Sequence, residues 1–251
     1  MSGPVFLTGL DRSGKTPLRR ILDAHPSLAF SRRTELWTSY HGRFGDLAVH
    51  ANLERCLSAL LARPAVAELV SDRAALVRAA GEGEPSYGRL FAAIHRAAAE
   101  RRGKRRWGDQ DASLERVAGL VLADLPDARI LHLVRDPRDR YAEVVRAEGR
   151  RLGGVGAATA AWLTSAHRGG RNAATWPDRY RLVRYEDLVR RPEATLREVC
   201  AFIGEPFDPV LLDAAEALAG AEPAIGRFRA VLRPAEVAFV EAVAGRAMRR
   251  L

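Results

Sequence analysis

The segment Gly9-Leu-Asp-Arg-Ser-Gly-Lys-Thr16, close to the start of the chain, has the residue types and spacing of a phosphate-binding loop. Glycines let the backbone curl so that successive N–H groups face one anion, and a helix opening at the end of the loop adds positive potential. Lys15 is placed to reach the terminal group of a bound nucleotide, and Thr16 to add a hydroxyl contact or hold a metal. The match to G-x-x-x-x-G-K-[ST] is complete. Lys15 and Lys104 are the only lysines in a chain whose other basic side chains are arginine. Lys104 sits in an undistinguished basic run, whereas Lys15 sits inside the loop. The chemistry that such a loop serves is transfer of a group carried by a nucleotide.

The loop needs a strand before it and a helix after it. Val5–Thr8 reads as a short buried strand, and Pro17–Ala24 has helical spacing through Leu18, Ile21 and Leu22. His25-Pro26 stops that helix, because the residue before proline is pushed out of helical geometry. Ala128–Val134 is a second strand, a nearly continuous apolar run of the kind that buried parallel strands show. Arg181–Val183 is a third. Ala51–Leu61, Tyr87–Arg102, Pro192–Ile203 and Pro234–Ala244 read as helices, with a loop at 81–85 and a mobile glycine-rich loop at Gly149–Gly156. Strands alternating with helices predict an α/β fold with a parallel sheet flanked by helices, in one domain over residues 1–251.

Composition narrows the classes. The chain has 251 residues, a formal charge of +9 and 47% hydrophobic residues. That charge points to anionic partners without choosing among them. No apolar run approaches a membrane span, and the N-terminus lacks the pattern of a secretory signal. Cys56 and Cys200 are too few for a disulfide framework, which points to a reducing cytoplasm. No histidines stand at metal-ligand spacing, so no metal is expected at the site.

Longer motifs carry a family resemblance. Pro4-Val-Phe-Leu-Thr-Gly-Leu-Asp-Arg-Ser-Gly-Lys-Thr16, then Leu18-Arg-Arg-Ile-Leu-Asp-Ala-His-Pro26, resembles the opening of bacterial sulfotransferases that use 3′-phosphoadenosine 5′-phosphosulfate (PAPS). Arg129-Ile-Leu-His-Leu-Val-Arg-Asp-Pro-Arg-Asp-Arg-Tyr141 resembles their second nucleotide motif. Arg181-Leu-Val-Arg-Tyr-Glu-Asp-Leu-Val189 and Phe202-Ile-Gly-Glu-Pro-Phe-Asp-Pro209 follow in the family's order. The resemblance implies the P-loop NTPase-like three-layer sandwich of that family and PAPS as co-substrate.

Carried over by motif position, Arg12, Ser13, Gly14, Lys15 and Thr16 cradle the phosphosulfate, with Arg12 and Lys15 also stabilising the transferred group. Arg135 binds the 3′-phosphate, and a bidentate guanidinium suits a phosphate dianion. Tyr185 lies against the adenine, and Arg227, in Ile225-Gly-Arg-Phe-Arg229, closes over the nucleotide. Glu35 is the preferred general base and Asp109, in Trp107-Gly-Asp-Gln110, the second. Four positions depart from the family: Asp11 stands for a proline, Lys15 for a threonine, Gln110 for a lysine and Glu143 for a serine. Glu143 would repel a phosphate unless it turns away or pairs with Arg146.

Two other classes stay open at this point. A kinase using ATP or GTP with Mg would employ the same loop, and Glu143 could bond a free ribose 3′-hydroxyl. A non-catalytic nucleotide- or nucleic-acid-binding role is weaker, since aromatics are 7% and no RNA- or DNA-binding signature appears. The acceptor is expected to be a small molecule or glycan, lined by residues within Arg32–Arg43 and Arg146–Gly156.

Overall fold

The computed structural model describes residues 3–81, 84–151, 153–218 and 225–250. Its frame is a five-stranded sheet in the order β2-β3-β1-β4-β5. The strands are β1 (Val5–Thr8), β2 (Leu28–Ser31), β3 (Arg106–Gln110), β4 (Arg129–Val134) and β5 (Tyr180–Arg184). Every pairing is parallel, with Phe6 of β1 facing Asp109 of β3 on one side and Ile130 of β4 on the other. All five strands therefore end at one edge of the sheet, where the loop after β1 lies.

Alternation along the strands sends side chains to two separate cores. Phe6 and Ile130 pack on one face with Trp37, Phe91, Trp107 and Tyr180. Val5, Leu7, Leu131 and Leu133 pack on the other with Leu18, Leu22, Leu196 and Val199. Helices cover both faces, which makes the three-layer arrangement. Phe6 meets Trp107 and Trp37 edge-on, with ring centres 5.6 and 6.2 Å apart.

The strands expected at Val5–Thr8, Ala128–Val134 and Arg181–Val183 are β1, β4 and β5 within a residue at each end. The expected helices form at Lys15–Ala24, His50–Leu61, Tyr87–Arg101, Pro192–Ile203 and Pro234–Met248. Two expectations change. Of the loop at 81–85, Gly81 ends the helix Arg73–Gly81, and residues 82 and 83 lie outside the described set. Within Gly149–Gly156 the helix Gly154–Thr175 already begins, after Gly153 at φ 71°; residue 152 is not described. An alanine-rich continuation supplies the helix propensity that the glycines alone conceal. Further along, a Cβ on Gly169 would come within 2.6 Å of His132 Nδ1, so glycine there lets this helix lie close on β4.

β3 is held by a buried ion pair. Arg106 Nη1 donates to Glu205 Oε1 at 3.1 Å and to the Ile203 carbonyl at 2.7 Å, with both side chains almost wholly buried. The pair links the start of β3 to the end of the helix Pro192–Ile203. Glu205→Ala leaves the Arg106 charge without its carboxylate, and a loss of about 3–5 kcal/mol in folding stability is expected by chemical denaturation. An unfolding midpoint equal to that of the native protein would contradict this role.

Candidate nucleotide site

The loop Gly9–Gly14 is shaped by two glycines in the left-handed region, Gly9 at φ 120° and Gly14 at φ 96°. A Cβ on Gly9 would lie 2.4 Å from the Leu133 carbonyl oxygen, and one on Gly14 would lie 2.2 Å from the Tyr185 ring. The loop is thus pressed between the ends of β4 and β5. Ser13 folds it internally, donating from Oγ to the Leu10 carbonyl at 2.7 Å. The helix Lys15–Ala24 then starts with no side chain capping its N-terminus and no acidic residue in its first turn. Those first amides remain available to an anion in the cleft.

Lys15 is 4% exposed, donates to the Gly9 carbonyl and lies 3.5 Å from Asp11 Oδ1. Burial lowers its pKa to about 8, against the opposing attraction of Asp11 and Glu115. Arg33 extends the charge chain from the loop: it meets Asp11 at 3.2 Å and Glu35 at 3.0 Å, and Glu35 also meets Arg63 at 3.1 Å. Arg12 (φ 70°), Arg33 (φ 26°) and Glu35 (φ 55°) are non-glycine residues held in positive-φ conformations. Such strain, about 1–3 kcal/mol per residue, persists only where surroundings impose it.

Beneath the loop runs a buried polar chain that sequence reasoning missed. Thr8 Oγ1 and Ser165 Oγ donate to the two oxygens of Glu115 at 2.8 and 2.7 Å. Ser165 also meets His132 Nε2 at 3.2 Å, and His132 Nδ1 meets the Tyr180 hydroxyl at 2.6 Å. Burial first, with Lys15 adding to it, lowers His132 to a pKa of about 4 despite Glu115, so the ring is neutral. The chain ties β1, β4, β5 and the helix Gly154–Thr175 together below Lys15. The only sequence signal was polar residues in otherwise apolar segments.

A second cluster forms where β4 and β5 end. Arg135 is 6% exposed, donates to the Arg12 carbonyl at 3.1 Å and lies over the Tyr185 ring at 4.6 Å. Trp162 Nε1 donates to the Arg135 carbonyl at 2.8 Å, fixing the backbone from the long helix. Glu143 meets Arg227 at 2.7 Å, with Arg146 and Arg135 at 3.8 and 3.9 Å. Asp139, also unforeseen, accepts from the amides of Gly226 and Phe228 at 2.7 and 2.9 Å and so anchors the segment bearing Arg227. Its spacing of four from Glu143 on the helix Pro137–Glu148 was the available clue.

The loop and part of this cluster open into one cleft of about 830 Å³, lined by Asp11, Arg12, Gly14, Lys15, Thr16, Gln110, Arg135, Glu143 and Tyr185 among others; Ser13, Arg146 and Arg227 do not line it, and Arg227 meets it through Glu143. From the expected acceptor regions, Arg32, Arg33 and Glu148 reach it. Glu35, 27% exposed at its side chain, stands one ion pair away behind Arg33. Asp109 is wholly buried, bonded to Thr34 and 3.8 Å from His95 Nε2, and does not line the cleft. Next to it, Asp111 bonds Thr38 at 2.8 Å; burial, and then Asp109, raise its pKa to about 8. Among the described residues no group of His, Cys, Asp and Glu is clustered as metal ligands. No helix among them is long and apolar enough to cross a membrane.

Helix-borne amides and Lys15 at one place and Arg135 at another line one cleft, an arrangement that can meet negative charge at two points. The solved sulfotransferase domain of the Synechococcus PCC 7002 olefin synthase is 25% identical, with 97% of this chain and 96% of that one covered and a TM-score of 0.62. Sulfotransferase STF9 from Mycobacterium avium is 14% identical over 100% of this chain and 77% of its own, with a TM-score of 0.59. Mouse sulfotransferase SULT7A1, solved in complex with PAP, is 10% identical over 98% and 84%, with a TM-score of 0.57. Among curated protein sequences none matches significantly. The model of the sulfotransferase family matches residues 4–209, which contain the loop, Arg135, Glu143 and Tyr185. The chain belongs to the sulfotransferase family.

Proposed function

We propose that the protein transfers a sulfuryl group from PAPS to a hydroxyl or amine of a small-molecule or glycan acceptor. The observation that carries this reading is that the Gly9–Thr16 loop, Arg135 and Tyr185 line a single cleft, so one nucleotide could engage all of them. A neighbour of the same fold was solved with PAP, which supports the choice of donor. Two free, buried cysteines, whose thiols burial pushes up to about 12 for Cys56 and about 11 for Cys200, suit a reducing cytoplasm.

PAPS supplies the activated sulfuryl group; the work of this chain is to bind, orient and stabilise. The loop amides, Arg12, Lys15 and Thr16 hold the phosphosulfate end and oppose the charge that spreads over the transferred group. Arg135 and Arg227 take the 3′-phosphate, and Tyr185 faces the adenine. Lys15 leaves the Gly9 carbonyl for the ligand, which restores the solvation-like contacts its burial removed. Of the two carboxylates expected as the base, Glu35 is assigned, since it is partly exposed behind Arg33, whereas Asp109 is enclosed. To accept the proton of the acceptor, one Glu35 oxygen must be released from Arg33.

Calorimetric titration tests the donor assignment. Binding of 3′,5′-ADP is expected, and Arg135→Ala should weaken it roughly 10- to 100-fold. The charged form of Lys15 attracts the anion and its pKa in the free protein is about 8, so affinity should fall as pH rises through that value. In a Lys15→Met variant this pH dependence should vanish. Tight binding of ATP with magnesium and none of 3′,5′-ADP would instead establish the kinase reading, in which Thr16 holds the metal.

Turnover separates the two roles. Lys15→Ala and Glu35→Gln are each expected to keep measurable 3′,5′-ADP binding while kcat falls roughly 100-fold or more. A Glu35→Gln enzyme with native kcat would remove Glu35 as the base.

A further inference from the structure

Asp139 and Glu143 stand one turn apart on the helix Pro137–Glu148, yet their carboxylates do different things. Asp139 fixes the backbone of Gly226 and Phe228. Glu143 instead places one oxygen, Oε1, among three guanidinium groups: 2.7 Å from Arg227, 3.8 Å from Arg146 and 3.9 Å from Arg135. Glu143, Arg227 and Arg135 are partly or fully enclosed, with side-chain exposures of 21%, 18% and 7%, whereas Arg146 is exposed at 44%. The Arg135 guanidinium also lies over the Tyr185 ring, 4.6 Å from its centre; burial raises the Tyr185 pKa, with Arg135 and Arg227 opposing and Glu143 adding to it. A carboxylate therefore already lies where arginines converge at the end of the cleft.

We propose that Glu143 is an internal competitor for the 3′-phosphate of the donor. The inference rests on the functional reading above, in which Arg135 and Arg227 are the ligands of that phosphate. In the nucleotide-free protein the Glu143 carboxylate holds Arg227 and faces Arg135. A 3′-phosphate must displace it, giving up a charge-assisted hydrogen bond, or stay beside it and bear the repulsion of a like charge. Both routes lower affinity for a 3′-phosphorylated nucleotide. A nucleotide with a free 3′-hydroxyl meets neither cost, because an uncharged hydroxyl neither has to displace the carboxylate from the guanidinium groups nor is repelled by it. Glu143 thus sets how strongly the site distinguishes the two. Since Asp139 anchors the Gly226–Phe228 segment separately, removing Glu143 takes its carboxylate away from the guanidinium groups without detaching the segment that carries Arg227.

The test is calorimetric titration of the full chain with 3′,5′-ADP and with 5′-ADP, for the native protein and for Glu143→Ser and Glu143→Gln. Glu143→Ser should bind 3′,5′-ADP roughly ten-fold or more tighter than the native protein, with 5′-ADP affinity changed by less than about three-fold. Glu143→Gln keeps the shape and removes the charge, so it should shift in the same direction, and it serves if the serine variant does not fold. Equal 3′,5′-ADP affinity in all three proteins, or equal gains for both nucleotides, overturns the competitor while leaving the donor assignment intact. Absence of 3′,5′-ADP binding in every protein, with 5′-ADP bound, overturns both.

Discussion

The close approach of the Gly9–Gly14 loop to the ends of β4 and β5 is the constraint on which the site depends. Gly9 sits where any side chain would strike the Leu133 carbonyl, and Gly14 where any side chain would strike the Tyr185 ring. Because both glycines lack a side chain, one turn of backbone can present its amides to the cleft and still touch the two strands that deliver Arg135 and Tyr185. Parallel pairing makes this possible, since it brings the C-terminal ends of β1, β4 and β5 to the same edge. A longer loop standing away from β4 would separate the loop amides and Lys15 from Arg135.

Charge is distributed around that contact in two ways. Below the loop, Glu115 is enclosed and satisfied by two hydroxyls, so it acts on Lys15 without reaching the ligand. Around the cleft, carboxylates pair directly with cations: Asp11 with Lys15 and Arg33, Glu143 with the arginine cluster. An empty cleft lined only by cations would be costly to hold together, and these carboxylates offset the repulsion. Each of them also stands close to where an anionic ligand belongs. On the proposed reading an anionic ligand exchanges partners with the protein rather than filling a bare positive pocket, and Lys15, Arg135 and Arg227 all have partners to exchange.

Legibility from the sequence followed the physics of each element. β1 and β4 could be read because their apolar runs are buried on both faces, and the loop because its glycines, lysine and threonine form a local pattern. β3 could not, because Arg106-Trp-Gly-Asp-Gln110 is mostly polar and is buried by its partners, with Arg106 neutralised by Glu205 from a distant turn. The helix Gly154–Thr175 was hidden by its glycines, one of which is needed for contact with His132. Arg135, Tyr185 and Glu143 were legible as motif positions. What Glu143 touches was not, since Arg227 is brought to it by Asp139 through contacts far apart in the chain. Ion pairs between remote residues leave no periodicity to read.

The central claim is that one nucleotide spans the loop and the Arg135 cluster. A crystal structure of the complex with 3′,5′-ADP measures this most directly. The account predicts the 5′-phosphate on the amides of the Gly9–Thr16 segment, the 3′-phosphate on Arg135 and the adenine against Tyr185. A 3′-phosphate turned to solvent, with Glu143 still bonded to Arg227 and Arg135 untouched by the ligand, would contradict it.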